Sequence, residues 1–299
     1  PIQRERASGT PAQLPGCDRV KNMSKKHVWY VVLAEFDLIE GSVIRRQHPE
    51  PTGAADNFLA EAMLPEGSHS RSEDETVFML PKIIIEGKSG GKAAGGNEKA
   101  PRPVLHCLSC FLAKKDDKVK RGSVTKALAV CSPHTFIHAF RPVIRLALKE
   151  LFSPISKADP KAHELRIVQE LYDTLNGLTL PSAYPLPPIH ESLYRAARLR
   201  EAHNRPFQDL DLKITWRSRD ISTRVPAIVG EDEIGQVKLI NLLKRFKTGF
   251  MKIFNAILLE RRVLFIGHNL PASEVCQHVL AACLMVSPPL SGVKERVFP

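Results

Sequence analysis

The 299 residues carry 43 Lys and Arg against 32 Asp and Glu, a formal charge of +11, with 43% hydrophobic and 25% charged residues. This composition excludes wholesale disorder and suits about two globular domains. The basic balance favours an anionic partner, whether nucleic acid, acidic lipid or an acidic protein face, but does not choose among them. Basic clusters such as Lys114-Lys115 with Lys118, Lys120 and Arg121 are interrupted by acids and read as a solvated face.

Residues 1–25 lack periodicity and read as a disordered lead-in. Order begins at His27-Val28-Trp29-Tyr30-Val31-Val32-Leu33-Ala34, a β-branched and aromatic run that predicts a buried strand. Glu40-Gly41-Ser42 supplies a turn, and Val43-Ile44-Arg45-Arg46 predicts the returning strand of a hairpin. Phe58 to Gly67 predicts a short helix stopped by Pro65 and Gly67. A polar loop over 68–75 precedes strands at Thr76–Leu80, Leu105–Leu112 and Lys126–Ser132, with a flexible Gly/Lys/Ala/Pro loop over 87–103 between the first two. Phe136–Phe152 predicts a helix, with Pro142 in its first turns or kinking it, and Ala162–Leu178 a second one ended by Asn176-Gly177. The expectation for this part is an antiparallel sheet covered by helices.

Residues 181–226, rich in Pro and Arg, read as an irregular linker containing the polyproline-like Pro185-Leu186-Pro187-Pro188. Helices follow at Glu233–Phe246 and Phe250–Leu259. Arg262-Val263-Leu264-Phe265-Ile266 reads as a buried strand, Gly267-His268-Asn269-Leu270-Pro271 as a turn, and Ala272–Val286 as a helix stopped by Pro288-Pro289. That succession predicts a second α/β layer with parallel sheet. The absence of an initiating Met and the stop at Val297-Phe298-Pro299 suggest a fragment of a longer protein.

No catalytic constellation emerges. Six cysteines, at 17, 107, 110, 131, 276 and 283, follow no signal peptide, so a reducing, cytoplasmic setting with small core thiols is expected. Cys107-x-x-Cys110 lacks the second ligand pair that a structural zinc needs, and His134 and His138 lack an accompanying H-E-x-x-H carboxylate. Gly87 to Lys92 superficially resembles a phosphate loop, but Glu86 stands at the first Gly position and Ala93 where Ser or Thr is required. His268, at a strand-to-helix turn, is a tempting base beside a helix N-terminus. The plainer reading is a turn with Asn269 or Ser273 capping. Aromatics at 6%, without an RNA-recognition or zinc-finger signature, argue against nucleic acid. No apolar stretch reaches membrane-spanning length; the best, Val275–Leu290, is short and holds Gln277 and His278. No metal, cofactor or catalytic residue is expected.

Several blocks carry a family resemblance. His27 to Asp37, followed by Gly41 to Pro49, resembles the opening of the fungal DENN-type proteins described as Arf-interacting polarity factors. Leu59 to Gly67 resembles that family's helix and Leu-Pro-Glu-Gly step, Val119 to Val130 its Lys-Arg-Gly step and apolar strand, and Glu260 to Gly267 its central strand and turn. The resemblance covers about residues 26–299 and implies a longin-like upstream DENN segment over 26–180, the linker, and the start of an α/β central DENN module over 227–299. It implies docking of an Arf-type GTPase in vesicle traffic, support of a polarity axis, and peripheral recruitment to the plasma membrane or vesicles. Related DENN proteins exchange nucleotide on Rab GTPases by opening the nucleotide site, which needs no catalytic dyad. A basic lipid- or nucleic-acid-binding module is the alternative of another class. Exposed groups beside the first hairpin, Glu35, Asp37, Arg45 and Arg46, are the candidate GTPase contacts, against the plainer reading of a solvated hairpin end.

Overall fold

The computed structural model describes residues 26–67, 71–81, 104–115, 123–153, 159–180, 210–225 and 239–286. The expected lead-in over 1–25, the loop over 87–103, the polyproline-like spacer and the final Pro-rich stretch lie outside these residues.

The hairpin β1 (Tyr30–Asp37) and β2 (Gly41–His48), the helix α1 (Asp56–Met63), and the strands β3 (Glu73–Pro81), β4 (Val104–Lys115) and β5 (Ser123–Ser132) follow in chain order. The five strands form one sheet of order β2-β1-β5-β4-β3, every neighbouring pair antiparallel. The interior strands β1, β5 and β4 have both faces covered, which is why their sequences are nearly continuous apolar runs. β2, at an edge, is half-buried along its whole length. β3 begins at Glu73, so the expected polar loop gives up its last three residues to the strand.

Alternation along the strands divides two cores. Val31, Leu33, Leu108 and Leu128 face the helices α2 (Arg141–Glu150) and α3 (Pro160–Asn176), while Val32, Ala34, Phe111 and Ala129 face Leu59 and Met63 of α1. A mixed α/β unit with a five-stranded antiparallel sheet and helices on its faces is consistent with the longin-like start that the sequence suggests. The helix expected over 136–152 is two elements: a 3-10 turn at Ile137–Phe140, then α2, with Pro142 in the first turn where its missing N–H costs nothing. Asp159 caps α3, its carboxylate accepting from the Ala162 N–H at 3.1 Å. At the other end Asn176 Oδ1 accepts the backbone N–H groups of His27 (2.9 Å) and Val28 (3.0 Å), tying the entry of β1 to the end of α3.

Two expectations are corrected. Within the supposed irregular stretch, β6 (Leu210–Trp216) and β7 (Arg219–Val225) form an antiparallel hairpin whose Leu212, Ile214, Trp216 and Val225 join the α2/α3 core. Beyond it come α4 (Leu239–Phe246), α5 (Gly249–Leu258) and α6 (Ala272–Val286). The segment Arg262–Ile266 is not a buried strand: it has no strand assignment, and Leu264 and Ile266 are 82% and 83% exposed. A ladder needs a second backbone to supply hydrogen bonds, and no described strand pairs with this run. Among the described residues the expected parallel sheet is therefore not formed. Instead α6 packs along β3, where Met79 joins Leu242, Leu280 and Ala281 in a third, small core. No helix among the described residues is long and apolar enough to cross a membrane.

Candidate functional site

Between β1 and β2 the chain reverses over Leu38, Ile39 and Glu40. Asp37 shapes this turn: its Oδ1 accepts the backbone N–H of Ile39 at 2.8 Å and of Glu40 at 3.2 Å, the local bonding for which Asp is favoured in turns. Gly41 follows at φ +80°, a backbone region that side chains disfavour. The register then shifts: Leu33 faces Arg46 but Ala34 faces Ile44, so Arg45 is the extra residue of a β-bulge.

The bulge aims Arg45 along the hairpin. Its Nε lies 3.2 Å from Glu35 Oε2, and its Nη2 donates to Asp37 Oδ2 at 2.9 Å. Glu35 is also 3.7 Å from Lys126 Nζ on β5, which meets Glu164 of α3 at 2.5 Å. Lys126 and Glu164 are both buried, and each is the neutralising partner that makes burial of the other tolerable. The backbone N–H of Ile39, then that of Glu40 and the Arg45 guanidinium, hold the Asp37 carboxyl below its usual range. Arg45 is held above its usual value: partial burial opposes this, and the hydrogen bonds to Asp37 and Glu35 outweigh it. Of the four residues expected here, Glu35, Asp37 and Arg45 thus form one ionic network. Arg46 stands beside it, donating from Nη1 to the Arg45 carbonyl at 3.3 Å. A cleft of roughly 500 Å³ separates this network from Pro160 and Lys161 at the start of α3. The arrangement fixes charge and shape. It presents a fixed pattern of paired charges and no nucleophile.

Sequence reasoning missed the two residues that the network holds up. Leu38 is 50% exposed and Ile39 is 94% exposed. The available signal was a pair of large apolar residues inside a turn, where polar residues and glycine are the rule.

A second concave region, roughly 890 Å³, lies between α1, β3 and the turn before α6. Asp74 of β3 accepts the Ala272 N–H at 2.7 Å, so the carboxylate capping α6 comes from a residue 198 positions away and not from Asn269 or Ser273. Arg71 donates to the Asn269 carbonyl at 2.8 Å. Asn269 takes φ 57°, and a Cβ added to Gly267 would meet Val275 Cγ2 at 2.5 Å, so a larger residue there would have to displace Val275 from the approach of turn to helix. His268 is exposed on the turn. The helix N-terminus that made it tempting as a base is already occupied by Asp74.

Cys107 and Cys110 point to opposite faces of the sheet, one in each core, so they do not make a ligand pair. Burial pushes the Cys110 thiol up to about 12. Among the described residues no three His, Cys, Asp or Glu side chains converge as a metal site.

Comparison with known proteins bears on both regions. Residues 30–88 match the family model described as the docking domain of Afi1 for Arf3 in vesicle trafficking, and residues 236–299 match the one described as stabilization of polarity axis. An AFI1-like protein of Schizosaccharomyces pombe is 24% identical over 332 residues, covering 90% of this chain and 52% of the relative. The late secretory pathway protein AVL9 of Saccharomyces cerevisiae is 23% identical over 261 residues, covering 82% of this chain and 28% of the relative. The chain therefore spans about half the length of the first of these relatives and a smaller part of the second.

Proposed function

Two matched regions and two relatives support a fungal Afi1/AVL9-type family for this chain, and from that premise we propose that it docks an Arf-family GTPase in vesicle trafficking and polarised growth. The observation that carries the reading is the location of the docking match. Residues 30–88 contribute β1, β2, α1 and β3. Within that segment β1 is interior to the sheet, the inner side of α1 is buried, and β3 is flanked by α6. Among the described residues this leaves the β2 edge, the β1–β2 turn and the outer face of α1 open, and the first two lie beside Glu35, Asp37, Arg45 and Arg46. A sheet edge with unpaired backbone groups and an adjoining fixed charge pattern suits a protein partner.

The division that goes with this reading is a docking unit over 26–180, extended by the β6–β7 hairpin, and a second unit from 227 that begins the central DENN module. The second unit supports the polarity function, and the whole is recruited peripherally to polarised membranes. The binding is of effector type, reading the loops that the γ-phosphate orders.

The test offers the chain to Arf and Rab GTPases, each loaded with a GTP analogue, loaded with GDP, or nucleotide-free. Selective capture of a GTP-loaded Arf is the expected result. Capture of a nucleotide-free Rab in its place would replace docking with nucleotide exchange. Binding that is insensitive to nucleotide state and collapses with salt would favour a basic lipid- or nucleic-acid-binding module.

A further inference from the structure

We infer that the β1–β2 turn is the anchor of the docking surface: Ile39, with Leu38 beside it, inserts into an apolar pocket of the partner GTPase that is rimmed by basic groups. The inference rests on the docking reading and names the part of the surface that carries it.

Three observations converge. The first is exposure. Ile39 is 94% exposed, the highest value among the large apolar side chains of the described residues, and it sits in the first hairpin turn of the segment matched to the docking family. A side chain of this size gains about 10- to 100-fold in an equilibrium constant when it moves from water into an apolar pocket.

The second is rigidity. Exposed turns are ordinarily mobile and lose entropy when they bind. Here Asp37 binds the two backbone N–H groups of Ile39 and Glu40, and Arg45 holds Asp37 and Glu35 together from the opposite strand. The bulge at Arg45 is what brings that guanidinium over both carboxylates. The apolar tip is thus ordered before any partner arrives, which reduces the entropic cost of association.

The third is charge. The protein carries a net +11, yet residues 35–44 hold Glu35, Asp37 and Glu40 and neither Lys nor Arg; Arg45 is paired with Glu35 and Asp37, Arg46 lies behind it away from the turn, and Lys126 is buried against Glu164. An acidic collar around an apolar tip is repelled by an anionic membrane and attracted by a basic rim on a protein. The same geometry with lysines around Ile39 would have pointed to lipid.

The experiment measures binding of the whole chain to the GTP-loaded Arf GTPase found in the panel, comparing wild type with Ile39→Asp, Ile39→Val and Glu40→Lys. Parallel arms use vesicles of phosphatidylserine and phosphatidylcholine. Ile39→Asp is expected to weaken GTPase binding by 10-fold or more with the thermal midpoint unchanged, because a solvent-exposed side chain contributes little to folding. Ile39→Val is expected to lose only a few-fold. Glu40→Lys is expected to weaken binding at low salt, with the difference closing as salt rises. GTPase binding by Ile39→Asp equal to wild type would overturn the anchor and leave the docking reading standing. Failure of the wild-type chain to bind any GTPase in any nucleotide state would overturn both. Vesicle binding by wild type that Ile39→Asp abolishes, with GTPase binding intact, would overturn the anchor in favour of a lipid contact.

Discussion

The hairpin network makes its charges useful by fixing them; two histidines elsewhere in the sheet unit, His27 and His138, do the opposite. His138, in the 3-10 turn before α2, has its pKa lowered to about 4, chiefly by burial and then by the Arg141 guanidinium. His27 is also lowered by burial, against the opposing hydrogen bond to the Leu178 carbonyl. In the unfolded chain both return to the ordinary histidine value of 6.5. Between that value and the folded one, the unfolded state takes up protons that the folded state refuses, so stability falls as pH falls through this window and is flat above it. For His138 the full loss amounts to at most about 3 kcal/mol. Asp37 and Asp220 are also lowered, but from 3.8, so they act only at more acidic pH. Urea midpoints measured from pH 7.5 to 4.5 should therefore decline from about pH 6.5 downward, and less steeply in His138→Gln. Equal slopes in the two proteins would mean that His138 is not the source.

At the scale of elements, the β6–β7 hairpin makes a stronger demand on the fold than a linker would. Trp216 is 1% exposed, and its Nε1–H donates to Glu150 Oε1 at 2.7 Å. Arg217 lies 5.6 Å from the Trp216 ring centre, pairs with Glu150, and reaches Glu170 of α3 at 2.7 Å through Nε. To do so Arg217 and Ser218 adopt φ of 43° and 66°, the left-handed pair that a two-residue hairpin turn requires. Trp216→Ala should cost roughly 3–5 kcal/mol in urea denaturation. An unchanged midpoint would remove the hairpin from the core. The alternation of Leu212, Ile214 and Trp216 was legible as a strand pattern, but the surrounding Pro and Arg outweighed it. The interior strands β1, β4 and β5 were legible because both their faces are buried. Arg262–Ile266 has the same apolar composition and forms no strand, because composition does not report whether a neighbouring backbone is available. For the site, the sequence marked Glu35, Asp37, Arg45 and Arg46 as charges at a hairpin. Their joining into a network depends on the bulge, which no local residue pattern announced, and on Lys126, far along the chain.

For the molecule as a whole, the two ends of the described chain differ in how they use their apolar residues. The sheet unit encloses them in two cores, while the unit beyond residue 239 has a small core and leaves much of its apolar surface outside. Leu258, Leu259, Leu264 and Ile266 are between 51% and 83% exposed, and α5 has no buried residue at all. Large apolar side chains left exposed in this number favour association. The net charge of +11 opposes that association through repulsion between copies, and salt weakens the repulsion. The protein should therefore self-associate as concentration rises, and more so at high salt than at low salt, the reverse of what a charge-driven contact would show. In sedimentation velocity the double variant Leu264→Asp and Ile266→Asp should stay smaller than wild type at matched concentration. Its thermal midpoint should be unchanged, since neither side chain is packed in the monomer. A drop in that midpoint would mean that Leu264 and Ile266 are packed in the folded chain. Association that weakens with salt would shift the cause from the apolar face to the charges.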